Sequence, residues 1–157
     1  MAQDGWVDHR PVHLATLASD MLLKCTLHQL PTMLNEHLPA ILPQLLRTRF
    51  YLISACRQYY CTVFTWSPTH FAWEPEEVLP VAANPQVKQV VTAGTLLTLN
   101  SHLFFPIVVR DKVVAVMSWR LEYLCDVPWC SALTRLVWSF LQSNLHEMST
   151  NLSSFWM

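Results

Sequence analysis

In "FFPIVVRDKVVAVMSWRLE", residues 104 to 122, the polar residues that could do chemistry sit on one side of an apolar run. If the stretch after Lys112 is a β-strand, Val113, Ala115, Met117, Trp119 and Leu121 share one face, and Val114, Val116, Ser118, Arg120 and Glu122 share the other. The first set is wholly apolar and suits a helix layer. The second carries a hydroxyl and a guanidinium, whose fixed fork of donors suits an anionic ligand. Upstream, Trp66 opens, and His70, Phe71 and Trp73 lie within, a stretch with three prolines that runs to residue 83. Such rings can close over a flat or apolar ligand by stacking while His70 supplies one polar contact.

Thiols and imidazoles are present but do not converge. Cys25, Cys56, Cys61, Cys125 and Cys130 are odd in number and irregular in spacing, as expected of reduced thiols in a cytoplasmic core rather than a disulfide framework. Cys25 and His28 lie three apart, and Asp8, His9 and His13 cluster near the start. Neither set reaches the three or four ligands a zinc site requires, so no metal is expected. Cys125 and Cys130 flank "DVPW" at a spacing outside the usual zinc knuckle range and read as structural, with redox sensing as the alternative.

The chain of 157 residues is the size of one domain and is long enough to bury a core without staples. Only 13% of residues are charged and 52% are hydrophobic, which points to a surface partly covered by a second copy. A net charge of -1 without a Lys/Arg cluster argues against direct nucleic-acid binding. The start has no basic residue followed by an unbroken apolar core, so no signal peptide is read there. The uncharged stretch from Gln89 to Val109 is interrupted by Gly94, Asn100, Ser101, His102 and Pro106, which argues against a membrane span. A soluble, cytoplasmic protein is expected.

These groups need elements to position them. Leu14, Leu17, Ala18, Met21, Leu22 and Cys25 have the spacing of an amphipathic helix that starts soon after Pro11. Leu34, Leu38, Ile41, Leu42 and Leu45 keep that spacing but include Pro39 and Pro43, which predicts a kink or two short pieces. "RFYLISAC" and "YYCTVFTW" read as an antiparallel pair, and residues 67 to 83 as an ordered irregular lid. "NPQVKQVVTAG" is a short helix with Asn84 at its N-cap, Pro85 at its first position and Gly94 past its end. "TLLTLN" gives a strand, residues 103 to 122 the hairpin, and Ser131 to Met148 a final helix that should pack on the first. The sum is an α+β domain: a central antiparallel sheet of five to six strands, terminal helices on one face, and the short helix plus lid on the other.

Three linked stretches carry a family resemblance. "NPQVKQVVTAGTLLTL", "LFFPIVVRDKVVAVMSW" and "ALTRLVWSFLQSNL" resemble, in order and spacing, the short helix and strand, the Pro-containing hairpin and the closing helix of a GAF domain. That family comprises small-molecule sensing modules of bacterial regulators and of cyclic-nucleotide phosphodiesterases. The likeness is direct over residues 84 to 148 and rests on element order over 14 to 66. Asp111 and Ala115 stand where the family often has glycine, both mild departures.

The resemblance implies one sensory domain over residues 1–157, with its core at about 12–148, either complete or the N-terminal part of a larger regulator. It makes the face bearing Ser118 and Arg120 the floor of a ligand pocket, with Trp66, His70, Phe71 and Trp73 above it. No cofactor is named by these residues. The expected function is small-molecule sensing in signalling or transcription regulation, passed through the terminal helices to an output domain or partner. Free methionine-R-sulfoxide reductase resembles an isolated GAF domain, but Ser118, Trp119 and Arg120 replace its Asp-x-Asp pattern, and no Cys falls between Cys61 and Cys125. An enzyme is not expected. The alternative is a ligand-free dimerisation module that uses Trp138, Leu141 and Leu145 of the last helix.

Overall fold

Asn84 and Gly94 bound the most sharply punctuated helix. In the computed structural model, which describes residues 8–23, 26–75 and 77–144, the Asn84 side chain accepts a hydrogen bond from the Val87 N–H, and Gly94 takes the left-handed conformation at φ 69°. Between them runs α3, Pro85–Ala93. It is preceded by α1 (Arg10–Leu23) and α2 (Leu30–Ile41) and followed by α4 (Val127–Asn144). α2 keeps Pro39 in its last turn and stops before Pro43, whose ring cannot continue a helix. α4 begins four residues earlier than the apolar stripe from Ser131 predicts.

Seven strands form one antiparallel sheet: β1 (Leu45–Ile53), β2 (Tyr59–Ser67), β3 (His70–Trp73), β4 (Val78–Pro80), β5 (Leu97–Leu99), β6 (His102–Val109) and β7 (Lys112–Leu121). The order across the sheet is β3-β2-β1-β7-β6-β5, with β4 also paired to β2. The expected lid therefore contributes two short edge strands and, at Val81–Ala83, a single helical turn. β3 covers Phe64 to Ser67 of β2 and β4 covers Tyr59 to Cys61, so this proline-rich stretch satisfies the outer edge of β2 in two pieces.

The core has two parts, one on each face of the sheet. On one side Leu17, Leu34, Leu38, Leu133, Val137 and Leu141 from α1, α2 and α4 meet Phe50, Leu52, Met117, Trp119 and Leu121. On the other, Val87 and Val90 of α3 meet Tyr51, Ile53, Phe104, Val113 and Val116. The terminal helices thus share one face, with the short helix opposite. One detail of the hairpin differs from strict alternation: Val113 lies on the α3 side. The pairing skips a residue between Ile107 and Val108, which leaves Val114 as a bulge and flips everything before it.

Arg10 ties the helix layer together at its start. Its guanidinium donates to Asp8 Oδ1 at 3.1 Å and to Asp126 Oδ1 at 2.8 Å, and lies 5.1 Å from the ring centre of Trp129. Among the described residues no helix is long and apolar enough to cross a membrane.

Candidate functional site

The sheet register gathers basic side chains from three strands. On β1, the alternation that buries Phe50 and Leu52 under the terminal helices sends Arg47, Arg49 and Tyr51 to the opposite face. β7 contributes Ser118 and Arg120 to that face, and β6 contributes His102 and Phe104. Arg47 pairs across from Arg120, and Arg120 across from His102, so these three form one row over β1, β7 and β6. Arg49, Ser118 and Phe104 form the next row. Tyr51 and Val116 begin the apolar part that α3 covers.

The row is an electrostatic conflict. Like charges directly opposite on adjacent strands destabilise a sheet by up to about 1 kcal/mol, and neighbouring rows add to that. No carboxylate pairs with Arg47, Arg49 or Arg120 among the described residues. Partial burial, then Arg49 and Arg120, push the Arg47 pKa down, although a guanidinium remains charged. Burial, then Arg47, Arg120 and Arg49, lower the His102 pKa to about 4, which leaves its ring neutral near pH 7. His102 Nε2 is buried and has no hydrogen-bond partner. The ring lies against Phe104, with centres 4.2 Å apart.

Ser118 and Arg120, expected from the sequence, thus occupy this face, Ser118 buried and Arg120 exposed. The Ser118 carbonyl accepts a 2.7 Å hydrogen bond from Thr48 Oγ1, whose buried side chain lies on the helix side of the sheet and fixes β7 to β1 behind the row. Arg47, Arg49 and His102 were missed. The Arg-x-Arg spacing of Arg47 and Arg49 was readable, but a strand begun at Arg49 leaves Arg47 out, and pairing across strands is not written in spacing.

The aromatic set goes elsewhere. β2 carries an extra residue at Val63, since Phe50 pairs with Phe64 while Tyr51 pairs with Thr62. That bulge puts Trp66 on the helix side, where it is 1% exposed and donates from Nε1 to Asn35 Oδ1 of α2 at 2.8 Å. Phe71 and Trp73 follow it by register and pack around Phe64. His70 is exposed at the sheet edge. These residues are therefore not brought together over Ser118 and Arg120. On α4, Trp138 stacks on Phe50 with ring centres 6.3 Å apart, and Leu141 is fully buried in the same core. Leu145 lies outside the described residues.

Cys56, Cys61, Cys125 and Cys130 are free thiols. Burial pushes Cys61 and Cys130 up to about 12, which suppresses thiolate chemistry. Cys56 is exposed in the turn after β1, whereas Arg47 sits near the start of that strand. Among the described residues no group of three His, Cys, Asp or Glu side chains is placed to hold a metal ion.

No family model matches the chain, and no curated protein matches it. Solved structures do. The GAF domain of an Acinetobacter phosphoenolpyruvate-protein phosphotransferase superposes with a TM-score of 0.62 at 13% identity, covering 90% of this chain and 96% of that one. Residues 122 to 287 of a methyl-accepting chemotaxis protein superpose with a TM-score of 0.56 at 13% identity, covering 80% and 98%. With its antiparallel sheet between a layer of terminal helices and a short capped helix, the chain has a GAF-like fold.

Proposed function

We propose that the chain is a small-molecule-sensing regulatory domain of a signalling protein, with its ligand seated against Ser118 and Arg120 and its state passed through the terminal helices. The observation that carries this reading is Arg120 on the face opposite those helices, directly across from Arg47 with no carboxylate between them. Sheets avoid such a pair unless something else uses it, and local conflicts of this kind concentrate at functional sites. The fold shared with a domain of a chemotaxis protein fits the reading.

The same strands supply the route onward. Arg120 is followed in the strand by Leu121 and preceded by Trp119, whose Nε1 donates to Thr134 Oγ1 of α4 at 2.8 Å on the far side of the sheet. Arg49 precedes Phe50, which stacks on Trp138 of α4. A ligand that draws β1 and β7 together on one face therefore acts on two α4 contacts on the other. Regulation rather than catalysis is the role these groups suit, since the site holds donors and no general base beyond the partly buried His102.

Thermal melts of wild type and Arg120→Gln against pools of metabolites test the reading. A pool containing the ligand at a hundred times its Kd stabilises wild type by about 2.7 kcal/mol, a rise of roughly 5 to 10 °C, and leaves the variant unmoved. If no pool moves wild type, or a pool moves both proteins equally, the site is wrongly placed.

A further inference from the structure

We infer that the ligand is a phosphate monoester whose dianionic head is held by the guanidinium groups of Arg47, Arg49 and Arg120 and by Nε2 of His102. This rests on the sensory reading above and names its ligand class.

Three unpaired cations on two adjacent strands call for more than one negative charge. A single carboxylate offsets one of them and offers two oxygens, whereas a monoester head carries up to two charges and three terminal oxygens, which match guanidinium forks well. The fourth contact comes from the orphan. A buried ring nitrogen with no partner is costly, and once the ring turns out from Phe104 a neutral imidazole with its proton on Nε2 can donate to a bound oxygen. His102 lies in the same row as Arg47 and Arg120, so the donors come from β1, β7 and β6 around one spot. Leu99 pairs with His102 on β5 and is 41% exposed, giving the organic half of the ester an apolar edge. A phosphodiester polymer fits less well, because the chain carries a net charge of -1 and no wider basic field to draw one in.

Calorimetric titration of the full chain with inorganic phosphate and phenyl phosphate, beside benzoate and succinate at matched ionic strength, tests this. Both phosphates are expected to bind. Arg47→Gln, Arg49→Gln and Arg120→Gln should each weaken phenyl phosphate about tenfold or more, and the His102 Nε2 resonance should shift on binding. Without ligand, the same three variants should melt at or above wild type because repulsion is relieved, so their lost affinity does not reflect misfolding. The inference is overturned if neither phosphate binds, if the glutamine variants bind phenyl phosphate unchanged, if succinate binds as tightly, or if a single-stranded oligonucleotide binds through these arginines more tightly than phenyl phosphate. Should a metabolite pool stabilise wild type through Arg120 while phosphate fails, only the ligand class falls. Failure of both removes the sensory reading as well.

Discussion

His102 is the residue whose behaviour most sharply reflects its surroundings. Its ordinary pKa of 6.5 falls to about 4 in the folded chain, because the ring is partly buried and faces Arg47, Arg49 and Arg120, all positive throughout the relevant range. The folded state therefore keeps a neutral ring while the unfolded state takes up a proton as pH drops. Stability from this group is full above pH 6.5 and is lost as pH falls towards 4. Urea unfolding from pH 7 to 4 should show His102→Phe losing less stability than wild type, by up to one proton in the slope. Saturating phosphate should narrow that difference, since an anion beside the ring favours its protonated form. An unchanged slope in the variant would mean the ring titrates normally. At this scale Ser118 and Arg120 were legible because a strand's period of two is written in the sequence. His102 was not legible, since its row exists only once β6 pairs with β7.

Among the elements, the β6–β7 hairpin turns with Val109 opposite Lys112, and both central residues have positive φ, 53° at Arg110 and 64° at Asp111. That is the turn geometry matching the twist of the strands, and it favours Asn-Gly over Arg-Asp. Replacing Arg110→Asn and Asp111→Gly together should stabilise the domain by about 1 kcal/mol, raising Tm by roughly 2 to 4 °C, with phosphate affinity unchanged. A lower Tm would contradict the turn assignment. The hairpin, the capped helix α3 and the final helix were legible because each carries its own punctuation. The lid was not. Prolines and aromatics between residues 67 and 83 read as irregular, whereas β3 and β4 are short strands defined by the edge of β2 that they cover. The bulge at Val63, invisible to spacing, then decides which face Trp66, Phe71 and Trp73 join.

For the whole molecule, the sheet is a partition between the terminal-helix core and the α3 face, where the proposed ligand site lies. Cations collect on the α3 side, while the aromatic series Trp138, Phe50, Phe64 and Phe71 stacks across α4, β1, β2 and β3 on the terminal-helix side. Low overall charge pointed to apolar surface covered by a second copy; of the residues expected at that interface Leu141 is buried in the helix-side core and Trp138 packs partly buried against it, while Leu22 and Leu23 of α1 remain exposed. The layer order was legible from element order, because apolar terminal helices have one sheet face to share. The division of labour between faces was not. On the proposed reading, ligand binding and helix response communicate through β1 and β7. Amide hydrogen exchange in the presence and absence of saturating phenyl phosphate tests that most directly, in wild type and in Thr134→Val, which removes the acceptor of Trp119. Protection should rise in β1 and β7 and change in α4 of wild type, with the α4 change diminished in the variant. A change confined to the strands, with α4 exchanging alike in both states, would contradict the sensing role.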